Sequence, residues 1–205
     1  TNIRKEWSVG GELRPTLIAA STHEGEEKII LDAFTSIQKQ YTNALLILVP
    51  RHLERFKKVK NIINTYEFSL ASRSNKTEIT SKTKVLLGDT IGELNFLYSL
   101  ADVAFIGGSL IDHGGQNLLE PSAQSLALLS GPSLRNFQDI SSQLLENKGL
   151  YIVNNSDEIS DRFIKLMENK PLLIETGRAS FKVFEENRGA LQKILSHLER
   201  PLKLI

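Results

Sequence analysis

Residues 107–121 read Gly-Gly-Ser-Leu-Ile-Asp-His-Gly-Gly-Gln-Asn-Leu-Leu-Glu-Pro. Gly107, Gly108, Gly114 and Gly115 bracket His113 and precede Asn117 and Glu120. Glycine has no Cβ, so such a loop can turn at positive φ and let a ligand come close to the backbone. A helix beginning near Asn117 would aim its free N–H groups into the loop, where anions bind readily. The Glu120 carboxylate can accept both O–H donors of a ribose diol. Together these residues suit a phosphorylated ligand, and a nucleotide most simply. A glycine-rich turn with a helix cap has the same composition. The segment is neither a GxGxxG fingerprint nor a P-loop, since no Gly-Lys-Ser/Thr follows.

Four further polar clusters carry related chemistry. Ser21-Thr22-His23-Glu24-Gly25 offers hydroxyls, an imidazole and a capping-box spacing, Ser21 to Glu24. It suits a phosphate, or a plain helix cap with an exposed histidine. Arg51-His52 follows Pro50 and places a guanidinium where bidentate phosphate contact is possible. The later Arg55, Lys57, Lys58 and Lys60 are expected to form a solvated basic face. Gly88 to Glu93 contains a second capping-box spacing, Thr90 to Glu93, and Gly131 to Asn136 closes the set. His23, His52 and His113 with Asp112 lack a ligand spacing such as HxxxH, so no metal is expected. No GxSxG elbow is present, which argues against a serine hydrolase.

The elements that must carry these clusters alternate. Continuous apolar runs at 16–20, 45–49, 85–87, 103–106 and 126–129, with weaker ones at 68–71 and 151–153, are expected strands. Helices are expected after Glu24, with Ile29, Ile30, Ala33, Phe34 and Ile37 on one face, and over 53–65, 117–125 and 137–147. A further short helix should run from Glu93 to Leu100. Residues 72–84 read as a mobile surface loop. From Asp157 the pattern is helical, with a break at Lys170-Pro171. Buried runs between amphipathic helices predict an α/β fold, a doubly wound Rossmann-like parallel sheet. Such sheets bind ligands at the carboxyl ends of their strands. All five polar clusters follow strands, so they should converge on one edge.

The chain of 205 residues has 25 basic and 24 acidic side chains and no cysteine. Near-neutrality gives no global case for nucleic acid. The absence of cysteine excludes disulfides and thiolate chemistry. No apolar run reaches the roughly 18–20 residues that span a bilayer, and the polar start, Thr1 to Trp7, is no signal peptide. We expect a piece of a longer protein: a linker over 1–13, a nucleotide-sugar-binding domain over 14–170, and helices over 171–205.

Four ordered stretches resemble the 3-deoxy-D-manno-octulosonic acid (Kdo) transferase family. They are Ala19 to Glu27, Val49-Pro50-Arg51-His52, Leu87-Gly88-Asp89-Thr90-Ile91-Gly92-Glu93-Leu94, and Phe105 to Pro121. The likeness covers about Arg14 to Ser142 and is to the carboxyl-terminal half alone. It implies the second domain of a GT-B glycosyltransferase of lipopolysaccharide synthesis, binding CMP-Kdo without a cofactor. The missing first domain would bind the lipid A precursor and carry the catalytic base, so no catalytic residue is expected here and the chain alone should be inactive. An amino-terminal segment would attach the enzyme to the inner membrane, facing the cytoplasm. The 171–205 helices would pack on, or cross back to, that first domain.

By the resemblance, Ser21 and Arg51, beside His52, meet the phosphate. The Ile91-Gly92-Glu93 turn lies near the cytidine. Asn117 and Glu120 lie at phosphate and ribose, and His113 near the sugar, with Gly108, Gly114 and Gly115 shaping the loop. Gln116, Leu118 and Leu53 stand where the family usually has His, Pro and Pro, so Gln116 is given no catalytic role. A UDP-sugar transferase or epimerase domain, or a non-catalytic nucleotide-binding module, is the alternative.

Overall fold

A computed structural model describes residues 2–202, and the side chains of residues 3–188. The chain opens with helix α1 (Asn2–Glu6), then a turn at Gly10-Gly11 closed by a bridge between Val9 and Glu12. The expected linker is thus folded back: Arg4 Nη2 lies 2.8 Å from both carboxylate oxygens of Asp102, and Asp102 also accepts the Thr16 N–H at 2.8 Å.

From there strands and helices alternate: β1 (Thr16–Thr22), α2 (Glu26–Gln40), β2 (Leu45–Pro50), a 3-10 turn (Leu53–Arg55) and α3 (Phe56–Asn64). Then come β3 (Leu70–Ser72), β4 (Val85–Leu87), α4 (Leu94–Tyr98), β5 (Val103–Ile106) and α5 (Leu119–Ser122). The chain continues with β6 (Ala127–Ser130), α6 (Gln138–Glu146), β7 (Leu150–Ile152), α7 (Ser156–Glu168) and α8 (Lys170–Leu202). The strands form one parallel seven-stranded sheet in the order β3-β4-β2-β1-β5-β6-β7.

The strands are continuous apolar runs because both faces are covered. Alternate residues feed two cores. Leu17, Ala19, Leu46, Leu48, Val103 and Phe105 pack with Phe34 of α2 and Phe163 of α7. Ile18, Ala20, Ile47, Ala104 and Ile106 pack with Leu97 of α4, Leu144 of α6 and Val183 of α8. The period-2 pattern of strand side chains splits each run between the layers.

Several sequence expectations change. The helix expected over 117–125 shrinks to four residues, because Asn117 Oδ1 caps the Leu119 N–H at 2.9 Å and Ser125 turns to φ 55° before β6. The helix over 53–65 starts as a 3-10 turn. The break falls at Asn169, and Pro171 sits in the first turn of α8, where a missing N–H costs nothing. Residues 73–84 form the crossover from β3 to the parallel neighbour β4, a job more often done by a helix. They are tied down where Ser72 Oγ and Ser74 N donate to Asp89 at 2.7 and 2.9 Å.

Candidate functional site

Strand order reverses between β1 and β5: later strands lie on both sides of β1. Ligand crevices of doubly wound sheets open at this point. At its mouth β1 bulges, slipping register against β2 between Ala20 and Thr22, with Ser21 at φ 55°. That conformation is uncommon for a residue with a Cβ. It belongs to a residue on the wall of a cavity of about 260 Å³. Pro50 and Arg51 from the end of β2 line the same cavity, as do Thr90, Ile91 and Gly92 from the loop after β4. Gly92 turns that loop at φ 80°, and Ile91 stands 76% exposed at the rim.

Ser21 and Glu24 form no capping box. α2 starts after Gly25 without a side-chain cap, and the exposed Glu24 pairs with Lys58. Nor does Thr90 cap α4: its hydroxyl bonds the Glu93 carboxylate. Arg73 Nε reaches the same carboxylate at 3.2 Å, and the guanidinium sits 5.4 Å over the Phe96 ring. Hydrogen bonds from Arg73, then from Thr90, hold the Glu93 carboxyl below its ordinary range. Glu93 therefore braces the Ile91-Gly92 turn from behind. It faces a second, wider cavity of about 800 Å³, lined also by Ser72, Ser74 and Lys76.

The glycine loop is built around an internal anion. Glu26, fully buried, accepts the N–H groups of Gly108 at 2.7 Å, Ser109 at 3.0 Å, Leu110 at 3.0 Å and His23 at 2.9 Å. The first amides of the loop are thus occupied by the protein itself. Gly115 N–H closes on Gly108 O at 2.8 Å, and Gly114 N–H bonds Ser133 Oγ at 3.0 Å. The helix start near Asn117 is short: α5 is a single turn, and Asn117 Oδ1 itself takes one of its first N–H groups, that of Leu119. Asn117 also donates to Glu120 Oε1 at 2.9 Å and fixes that carboxylate's direction.

Three imidazoles gather beside this loop. His23 stacks on His113 with centroids 4.5 Å apart and meets His52 edge-on at 5.4 Å. In its present orientation the Gln116 amide lies 3.1 Å from His23 Nε2 and donates to it. Among the described residues no group of three or more His, Asp or Glu side chains is arranged to hold a metal ion. Burial lowers the His23 pKa first, and His113, His52 and Arg55 add to the effect against the opposing charge of Glu26.

The unfolded chain therefore takes up a proton at His23 more readily than the native one. Stability should fall as pH drops below about 6.5, the unfolded value. Thermal melts between pH 7.5 and 5.5 should show a drop of a few degrees that is reduced in His23→Gln. An unchanged slope in that variant would contradict it.

Arg55 departs from the expected basic face. Its guanidinium is nearly buried and pairs bidentately with the buried Glu27, Nη2 to Oε2 at 3.1 Å, while Thr22 Oγ1 donates to Glu27 Oε1 at 3.0 Å. The hydrogen bond with Glu27 holds Arg55 above its ordinary value.

Of the expected site residues, Ser21, Arg51, Ile91 and Gly92 share one cavity. His52 and His113 flank His23, and a Cβ on Gly108 would sit 3.4 Å from the His23 ring. Gly114 and Gly115 lie in the folded-back loop, and Asn117 and Glu120 form their own pair. Sequence reading missed Glu26, Glu27, Arg55 and Arg73. The available signal was a pair of acids opening a helix directly after a strand end.

No family model matches the chain. A Haemophilus influenzae protein named 3-deoxy-D-manno-octulosonic acid transferase is 41% identical over 91% of this chain and 44% of its own length. A Fusobacterium nucleatum bifunctional glycosyltransferase/methyltransferase is 36% identical over 90% of this chain and 28% of its own length. The chain thus spans less than half the length of these curated relatives. The solved carboxyl-terminal CMP-Kdo binding domain of WaaA from Acinetobacter baumannii is 32% identical, with a TM-score of 0.79 over 83% of this chain and 89% of that one. A variant of Staphylococcus aureus TarM, at 12% identity and TM-score 0.61 over 89% of this chain and 35% of that one, shares the fold.

Proposed function

The chain belongs to the Kdo transferase family, and we propose that it is the half of such an enzyme that binds the donor, CMP-Kdo. Its parallel sheet is the Rossmann-like fold of GT-B carboxyl-terminal domains. The observation that carries the proposal is the cavity at the carboxyl ends of β1, β2 and β4, beside the switch point, where Ser21, Arg51 and the Ile91-Gly92 turn meet in a chain that overlays the WaaA domain.

In this reading the nucleoside lies in that cavity, with cytosine against the Ile91-Gly92 turn. Glu120, aimed by Asn117, accepts the ribose hydroxyls. Ser21 and Arg51 meet the phosphate, with His52 beside them and His113 toward the sugar. Gly108, Gly114 and Gly115 shape the loop without giving amides to the phosphate. When the bond from the Kdo anomeric carbon to the phosphate oxygen breaks, CMP gains charge. Arg51 is placed to stabilise it electrostatically. The acceptor hydroxyl bonds to the anomeric carbon, and its proton passes to a base outside this chain.

We extend the proposal to the whole enzyme: residues 1–13 link to a first domain that takes a lipid A precursor, residues 14–170 bind the donor, and residues 171–205 contact or cross to that domain. Membrane association at the cytoplasmic face of the inner membrane would come from the other half; no helix among the described residues here is long and apolar enough to cross a bilayer.

Titration calorimetry of the chain with CMP, UMP and UDP tests this. CMP is expected to bind more tightly than the other two, and Arg51→Ala to weaken it about tenfold, as the loss of one charge-assisted contact should. A preference for UDP would favour a UDP-sugar enzyme and overturn the assignment.

A further inference from the structure

We infer that Glu26 is a positioning residue, a built-in anion that holds the glycine loop in its ligand-ready shape before any donor arrives. The inference rests on the reading of this edge as the donor site, and it goes beyond it to a residue that lies behind the ligand-facing surface.

Each Glu26 oxygen takes two backbone N–H groups, Oε2 from His23 and Gly108, Oε1 from Ser109 and Leu110. One carboxylate thereby joins the end of β1 to the whole first turn of the loop after β5, across 82 to 84 residues of sequence for the loop contacts. The side chain is fully buried. Only an acceptor on both oxygens satisfies this arrangement. A buried N–H left without a partner is costly, so the loop holds this turn only while the carboxylate is present.

The consequence for the ligand is specific. Gly108 φ 68° is fixed by this clamp. The Gly115 N–H bonds back to Gly108 O, so the clamp also sets where the second glycine pair, Gly114-Gly115, stands. The His23 N–H is held by the same carboxylate, which orients the imidazole that stacks on His113 and meets Gln116. A loop ordered in advance spares the donor the ordering entropy of binding. Donor affinity should therefore depend on a residue that never touches the donor.

Glu26→Gln keeps the shape but turns an NH₂ group toward two N–H donors. Glu26→Ala leaves a small void lined by four N–H groups. In ¹⁵N spectra of the 205-residue chain, Glu26→Gln should move the amide signals of His23, Gly108, Ser109 and Leu110 most and speed their hydrogen exchange. CMP affinity should fall about tenfold in both variants. Formate, but not chloride at equal ionic strength, should restore CMP affinity in Glu26→Ala and leave Glu26→Gln unchanged. That rescue separates positioning from a general loss of fold.

Unaltered CMP affinity in a folded Glu26→Gln chain overturns the inference, as does an amide spectrum unchanged at residues 108–110. If the unaltered chain itself fails to bind CMP, the donor reading fails, and the amide signals alone decide the role of Glu26.

Discussion

Gly107→Ala is expected to destabilise the chain by about 3 kcal/mol, the upper end for overpacking a site that cannot give way. In a domain of this size that lowers the melting temperature by about 6–12 °C. A Cβ at Gly107 would lie 2.5 Å from the Ser21 carbonyl oxygen and 2.7 Å from Thr22 Cα. Both are backbone atoms of the bulge in β1, the strand flanked by neighbours on each side at the middle of the sheet. A side chain can swing aside, but this backbone is held by β2 and β5 together.

Relief requires moving the bulge, and with it Ser21. The folded fraction of Gly107→Ala should therefore also bind CMP poorly. Gly108→Ala is the contrast: its Cβ would meet nothing nearer than 3.4 Å, so only the positive φ of 68° opposes it. That should cost about 1 kcal/mol, the usual penalty for a left-handed non-glycine residue. Equal melting temperatures for the two variants would show that the bulge yields.

This pair of neighbouring glycines also marks how far the sequence could be read. Four glycines near one histidine signalled close backbone approach, but gave no way to tell what approaches. At Gly107 it is the protein's own β1 bulge, and at Gly108 the amide goes to Glu26. The parallel sheet was legible because buried runs such as Leu45 to Val49 can only be two-sided strands. Cluster convergence followed from topology alone, and Ser21, Arg51, Ile91 and Gly92 do share a cavity.

What stayed hidden were pairings between residues distant in sequence. Thr90 and Glu93 have the spacing of a capping box, but the Glu93 carboxylate takes the Thr90 hydroxyl and the distant Arg73 guanidinium and caps nothing. Arg55 has lysine neighbours in sequence, and only the packing of α2 against the turn before α3 sets it beside Glu27. Spacing rules report local partners, and a buried charge is decided by non-local ones.

Glu27→Ala should cost about 3–5 kcal/mol, the range for removing one partner of a buried ion pair. The carboxylate is fully buried and takes both Arg55 terminal nitrogens and the Thr22 hydroxyl. Without it the guanidinium keeps, among the described residues, only a long 3.4 Å contact to Thr22 O, and its buried Nε has no partner among them. Much of the cost is thus the stranded cation and not the worth of the pair. Replacing both partners with apolar residues, Glu27→Leu with Arg55→Met, should recover most of the loss, because both desolvation penalties disappear together.

Urea unfolding of the two single variants and the double variant measures the coupling. Strict additivity would show that the pair is not coupled. Raising salt should change the cost little, since buried charges are poorly screened. The exposed Lys58–Glu24 pair nearby should contribute nothing measurable by the same test. The pair also joins the first turn of α2 to the 3-10 turn after β2, which follow the Ser21 and Arg51 walls of the cavity. The double variant should therefore regain stability while still binding CMP more weakly than the parent, since apolar contact fixes distance but not direction between those two walls.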